Sequence, residues 1–237
     1  MLNRVGLVVI LDLAACACAL ALGEDQLYTG SAITTAPGHA LFQLFYSSAP
    51  GAGARVAGSS VYTGLSGNAD ARVGYGYLWS QRGPDVQLGP SVGLKWRFAG
   101  DGRRRPSAAI SCLYAANQTP GNPSKRSDVG GLLIVQYPVR PVVLLANLGR
   151  VWVGDDVPDL RYEAFAVAAP LSQRMLVAVE YIQVARLDTL RGGDVGQYVL
   201  GAVYHPRPEI GYSLQLGRLI GGSRTGWNTT VGVSVLM

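Results

Sequence analysis

The last eleven residues, WNTTVGVSVLM (227–237), alternate without a break. Trp227, Thr229, Val231, Val233, Val235 and Met237 fall on one face, and Asn228, Thr230, Gly232, Ser234 and Leu236 on the other. A period of two is a strand. One face is mostly apolar, the other is small or polar, and an aromatic stands at one end. That is the pattern of a strand crossing a bilayer within a barrel, where about 9–11 residues suffice. A barrel must pair its first strand with its last, and this segment suits that closure. It is also the expected handle for a barrel-assembly machinery, although such strands usually finish on an aromatic and this one finishes on Met237.

The same alternation recurs upstream, separated by turn chemistry. Strands are expected at 40–48, 55–65, 69–80, 85–98, 107–117, 129–137, 142–153, 160–169, 175–184, 195–204, 209–219 and 227–237. An even count puts both chain ends on one side, here the periplasmic one. The periplasmic connections would then be 66–68, 99–106, 138–141, 170–174 and 205–208, mostly tight and rich in Pro or Gly. The longest outer connections are 118–128 and 185–194, which gives the short-turn, long-loop asymmetry of such barrels. The expected fold is all-β: one antiparallel up-and-down transmembrane barrel of about 12 strands.

Aromatic residues sort by strand end. Trp79, Tyr114, Trp152, Tyr181 and Trp227 are expected at outer ends, and Tyr62, Trp96, Phe98, Tyr137, Tyr204 and Tyr212 at inner ends. Such rings favour the interfaces where lipid tails meet headgroups. Parity then separates wall from lumen. In 69–80, Ala71, Val73, Tyr75, Tyr77 and Trp79 go out while Asp70 and Arg72 go in. In 85–98, Val86, Leu88, Pro90, Val92, Leu94, Trp96 and Phe98 go out while Gln87, Lys95 and Arg97 go in. The remaining expected pore-lining residues are Gln43, Arg161, Glu163, Glu180, Glu209 and Gln215. A Lys or Arg facing lipid at mid-depth would cost about 2–4 kcal/mol, so this sorting is strongly driven. Arg150 shares the parity of Leu148 and Trp152 and is expected to snorkel near the outer rim. Pro90 breaks a ladder bond and predicts a local bulge.

Composition agrees. Mean hydropathy is +0.21 although no long apolar run follows the N-terminus, as expected when apolar residues occupy every second position. The net charge of +5 is thinly spread apart from Arg103–Arg105, and no basic face with aromatic platforms appears, which argues against nucleic acid as a partner. Residues 1–23 read as a signal peptide, a short basic start followed by an apolar stretch interrupted by Asp12, leaving 24–237 as the barrel domain. Cleavage after Ala21-Leu22-Gly23 would remove Cys16 and Cys18. Leu13-Ala14-Ala15-Cys16 resembles a lipobox, but the residues after Cys16 stay apolar. With ordinary cleavage Cys112 remains alone, a small wall residue rather than half of a disulfide.

One motif looks enzymatic. Gly89-Pro90-Ser91-Val92-Gly93 matches G-x-S-x-G, which has meaning only on a strand-to-helix turn. Here the alternation continues through Leu94-Lys95-Trp96, and His39 and His205 lie near the periplasmic rim, so no enzyme is expected. Asp155, Asp156 and Asp159 form an acidic outer loop, but their spacing matches no metal loop, and no cofactor motif is present. Lumenal charges of both signs could set the selectivity of a pore or pair across it and fill it.

Several segments together resemble a family, the outer-membrane transporters associated with meta-pathway phenol degradation. They are Thr63-Gly64-Leu65 leading into Asp70–Tyr77, GPSVGLKWRF at 89–98, Asn147-Leu148-Gly149, Glu180-Tyr181, and 201–208 running through to the last strand. The resemblance implies an outer-membrane channel passing small, hydrophobic or aromatic compounds, with outer-membrane lipids and a small-molecule solute as partners. The alternatives are a non-conducting structural or adhesion barrel and a narrow porin for small saccharides or acids. A secreted soluble β protein is a further one.

Overall fold

The computed structural model describes residues 30–81, 84–101, 104–118, 125–154, 159–186, 195–220 and 226–237. The expected signal peptide, with Cys16 and Cys18, lies outside the described residues. So do Arg103, Asp155, Asp156 and much of the connections at 118–128 and 185–194.

Twelve strands form: β1 (Ala40–Ala49), β2 (Ala54–Ser66), β3 (Ala69–Ser80), β4 (Val86–Ala99), β5 (Ser107–Gln118), β6 (Lys125–Val139), β7 (Val142–Trp152), β8 (Leu160–Ser172), β9 (Met175–Arg186), β10 (Val195–Arg207), β11 (Ile210–Ile220) and β12 (Gly226–Leu236). Each pairs antiparallel with its sequence neighbours, and β1 pairs with β12, so the sheet closes on itself without an edge. The closing seam runs from Leu41 opposite Leu236 to Ser48 opposite Thr229. It is finished by Ala40 N–H donating to Met237 O (2.9 Å) and Met237 N–H donating to Ala40 O (2.8 Å). Closure leaves no strand edge unpaired, as a sheet in lipid requires.

Both ends of the barrel chain lie at the turn end, where two-residue links join β2 to β3, β6 to β7, β8 to β9 and β10 to β11. The link from β4 to β5 is longer, and side chains hold it. The Asp101 carboxylate accepts from the N–H groups of Arg104 (2.7 Å) and Arg105 (3.0 Å). The Arg97 guanidinium donates to Asp101 O (3.3 Å) and across to Gly67 O (2.6 Å), tying this turn to its neighbour.

The exterior is apolar. Leu44, Val73, Val92, Leu133, Val167, Leu200 and Val231 are among many large side chains standing exposed on the wall. Trp96, Phe98, Tyr137, Tyr204 and Tyr212 ring the turn end, and Trp79, Tyr114, Trp152, Tyr198 and Trp227 ring the loop end. An apolar band between two aromatic girdles is the surface of a barrel that sits in a bilayer. Tyr62 is an exception to the expected girdle: it is 2 % exposed and points inward.

Two strands depart from the expected parity. Between Gly74 opposite Ser91 and Gly76 opposite Leu88, β4 uses three steps where β3 uses two. This is a bulge at Gly89-Pro90, with Gly89 at φ +101°, a region that favours glycine. One extra residue flips every side chain beyond it. Val86 and Leu88 therefore turn inward to pack with Leu78, and Gln87, opposite outward Tyr77, is not a lumen residue. In β8 the inward set is Leu160, Tyr162, Ala164, Ala166 and Ala168, all buried. Arg161 and Glu163 share the outward parity of exposed Phe165 and Val167, so they too leave the lumen list. They lie at the loop end, at the height of the girdle, where wet headgroups make an outward charge cheap.

Candidate functional site

The lumen is built from the inward residues of all twelve strands, and its two sides differ. On β5 to β10 the inward set is largely apolar, with Leu113, Leu132, Ile134, Val151, Leu160, Tyr162, Ile182 and Val199 in one buried cluster. On β11, β12 and β1 to β4 it is largely polar, with Gln43, Ser47, Ser60, Asp70, Ser91, Lys95, Gln215, Asn228, Thr230 and Ser234 all buried. The polar side carries its own apolar cap at the loop end, where Val56, Leu78 and Val86 pack with Phe45 and Leu88.

A segment without strand character enters this lumen from the turn end. Ser31 and Ala32 are 4 % and 0 % exposed. Gln136 on β6 accepts from Ser31 Oγ (2.9 Å) and from Ala32 N–H (3.2 Å). Asn147 on β7 is fully buried, and in the amide orientation that satisfies both its atoms it donates to Gly30 O (3.1 Å) and accepts from Gly30 N–H (2.6 Å). Lys95 Nζ donates to Ser31 O (3.4 Å) and to Ile33 O. Asp70 accepts from Thr35 N–H (3.0 Å) and pairs with Lys95 at 3.5 Å, both side chains nearly inaccessible. The chain then passes so close over β2 that a Cβ on Gly64 would lie 2.2 Å from Ala36 O. It turns at Gly38 (φ +78°), with His39 N–H donating to Ala36 O (3.0 Å), and begins β1.

Beside the segment lies a cavity of about 540 Å³. Leu145, Ala168, Leu176 and Val203 form one wall, while Gln43, Asp70, Lys95 and Ser234 stand on the other. His205 and Glu209 line it as well, Glu209 from the exposed turn between β10 and β11.

The expected pore-lining residues therefore divide. Gln43, Asp70 and Lys95 meet in the cavity wall, and Glu209 joins them from the turn. Glu180 and Gln215 point inward, 1 % and 2 % exposed, on strands separated by β10. Arg72 lies inward with its guanidinium 5.2 Å from the centre of the Tyr62 ring, and its Nε finds no acceptor. Arg97 serves the turns, and Gln87, Arg161 and Glu163 face outward. Gln136 and Asn147 were not among the expected residues. Their inward parity was visible beside Val135 and Leu148, but nothing local marks them as holding another segment. Ser91 of the G-x-S-x-G match sits in mid-strand, opposite Gly74 and Ala115, with no helix following it.

No family model and no curated protein matches the sequence. Solved structures do resemble the fold. The NanC porin superposes with a TM-score of 0.64 at 11% identity, covering 82% of this chain and 98% of that one. An outer membrane channel from Pseudomonas putida F1 gives 0.62 at 9% identity, covering 88% and 98%. The KdgM porin in complex with disordered oligogalacturonate gives 0.61 at 7% identity, covering 82% and 98%. At these identities the likeness is one of fold: a closed antiparallel β-barrel.

Proposed function

We propose that the chain is an outer-membrane channel for small solutes, with the turn end in the periplasm, exported through residues 1–23 and assembled through its last strand. The observation that carries this reading is the two-faced cavity beside residues 30–36. It offers an apolar wall and a polar wall within one lumen, in a barrel whose outside is built for lipid. Such a space suits a small compound with a hydrophobic or aromatic body and a polar group, which meets each wall with its matching side. Lys95 and Asp70 set the field of the polar wall, and the apolar wall supplies the burial.

A porin for acidic saccharides has less support. It needs a continuous cationic track, yet Lys95 is paired with Asp70, Arg97 serves the turns and Arg161 faces out. Arg72 alone among the four stays in the lumen without a carboxylate partner among the described residues. The test is single-channel conductance of the refolded chain from Glu24 in planar bilayers. Discrete steps whose ion selectivity moves toward cations in Lys95→Glu support the channel. A heat-modifiable barrel that inserts and stays silent, with residues 30–36 both in place and removed, supports a structural barrel instead.

A further inference from the structure

Among the described residues, outward-facing charge on the strands is concentrated at one end of this barrel. At the loop end Arg55, Arg150, Arg161, Glu163 and Arg218 all point away from the lumen. Among the described residues, the outward charge on a strand in the turn half is Arg207, the last residue of β10, opposite Ile210, while Arg140 and Arg174 lie in the turns themselves.

The loop-end arginines are arranged with aromatics. The Arg150 guanidinium lies 5.5 Å from the Trp152 ring centre and that of Arg218 lies 5.7 Å from Trp227, while Arg55 stands opposite Trp79 across β2 and β3. Two of the four tryptophans thus lie beneath an arginine and a third, Trp79, faces one across the ladder, all at this end, while Trp96, at the turn-end girdle, has no such partner among the described residues. Arg150 and Arg161 are directly opposite one another on β7 and β8. Like charges in that position repel. Asp159 (2.7 Å from Arg150) and Glu163 (3.2 Å from Arg161) offset the repulsion. Arg55 and Arg218 face no carboxylate among the described residues.

A guanidinium above an interfacial indole stands at the level of lipid headgroups, and its planar fork matches a phosphate. We infer that this belt binds the phosphate groups of the outer-leaflet phosphoglycolipid, lipopolysaccharide, with Arg150–Arg161 and Arg218 as its two strongest points. The inference rests on the outer-membrane placement proposed above but not on conduction.

The test measures lipid retained by the refolded chain in mixed micelles. Phosphorylated lipopolysaccharide is compared with the same lipid enzymatically dephosphorylated, and heat-modifiable migration checks folding. The phosphorylated form is expected to be retained preferentially. Arg218→Gln should lower that retention about five-fold, and Arg150→Gln with Arg161→Gln about 25-fold. Glu163→Gln releases Arg161 from its carboxylate and should raise retention, a gain that damage to the fold cannot produce. If Arg218→Gln does not fold, the Glu163→Gln comparison decides alone. Equal retention of both lipids, or no gain in Glu163→Gln, overturns the inference. Loss of the barrel from all bilayers would instead reject the membrane placement.

Discussion

Lys95 does three things from one buried position: it pairs with Asp70 and holds the carbonyls of Ser31 and Ile33. Removing one partner of a buried ion pair leaves a bare charge and costs about 3–5 kcal/mol. Here the cheapest relief is local, because the segment at 30–36 can let go while the barrel stays closed. Lys95→Met should therefore expose the segment without unfolding the wall. With Ala32→Cys as a reporter on a Cys112→Ala background, an impermeant thiol reagent should react about a hundredfold faster or more in the Lys95→Met variant. Asp70→Asn added to Lys95→Met should recover part of the protection, since no buried charge is then left over. Gly64→Ala tests the same docking from the other side. Its Cβ would meet the Ala36 carbonyl at 2.2 Å, so the segment must shift, and the same reporter should react faster although no polar group has been touched.

Among the elements, β4 depends most on a single irregularity. The bulge at Gly89-Pro90 sends Val86 and Leu88 inward against Leu78 while Val92, Leu94 and Trp96 stay on the wall. Gly89→Val disfavours the φ of +101° that the bulge needs, and a strand that runs on without the bulge carries Val86 and Leu88 to the wall and out of the cap. Burial of such side chains is worth about 1.5–3 kcal/mol each, so the substitution should destabilise the barrel by about 3–6 kcal/mol. A lower urea midpoint for loss of the heat-modifiable band would register it, and an unchanged midpoint would show that the cap adds nothing. The twelve strands were legible in the sequence because period two is a strong signal, and most boundaries fall within a few residues of expectation. Pro90 even announced its bulge, but the consequence for Gln87 depends on counting residues across the β3–β4 pairing. For Arg161 and Glu163 the assumption that charges seek the lumen overrode their shared parity with Phe165 and Val167. Height along the strand decides that question, since the cost of an outward charge fades toward the girdle.

At the scale of the whole molecule, the barrel is a wall that needs its own N-terminal segment to complete its interior. That segment was not legible. Residues 30–36 show no periodicity because they are held by side chains reaching to their backbone, from Lys95, Gln136 and Asp70, rather than by a ladder. The same contacts decide how much of the lumen is open. An extended chain takes up roughly 50 Å² of cross-section, from strand and sheet spacings of about 4.8 and 10 Å. A twelve-stranded barrel lies between those filled by their own side chains and those with wide aqueous channels, so this area is a large share of what it can offer. A refolded chain beginning at Pro37 keeps all twelve strands and the β1–β12 seam, and should still insert. Its unitary conductance should rise by roughly two-fold or more over the chain from Glu24, and its ion selectivity should weaken as Lys95 and Asp70 gain water. Equal steps from the two chains would place the conducting path elsewhere than beside the segment. A shortened chain that fails to close would make the segment a folding element first and an obstruction second.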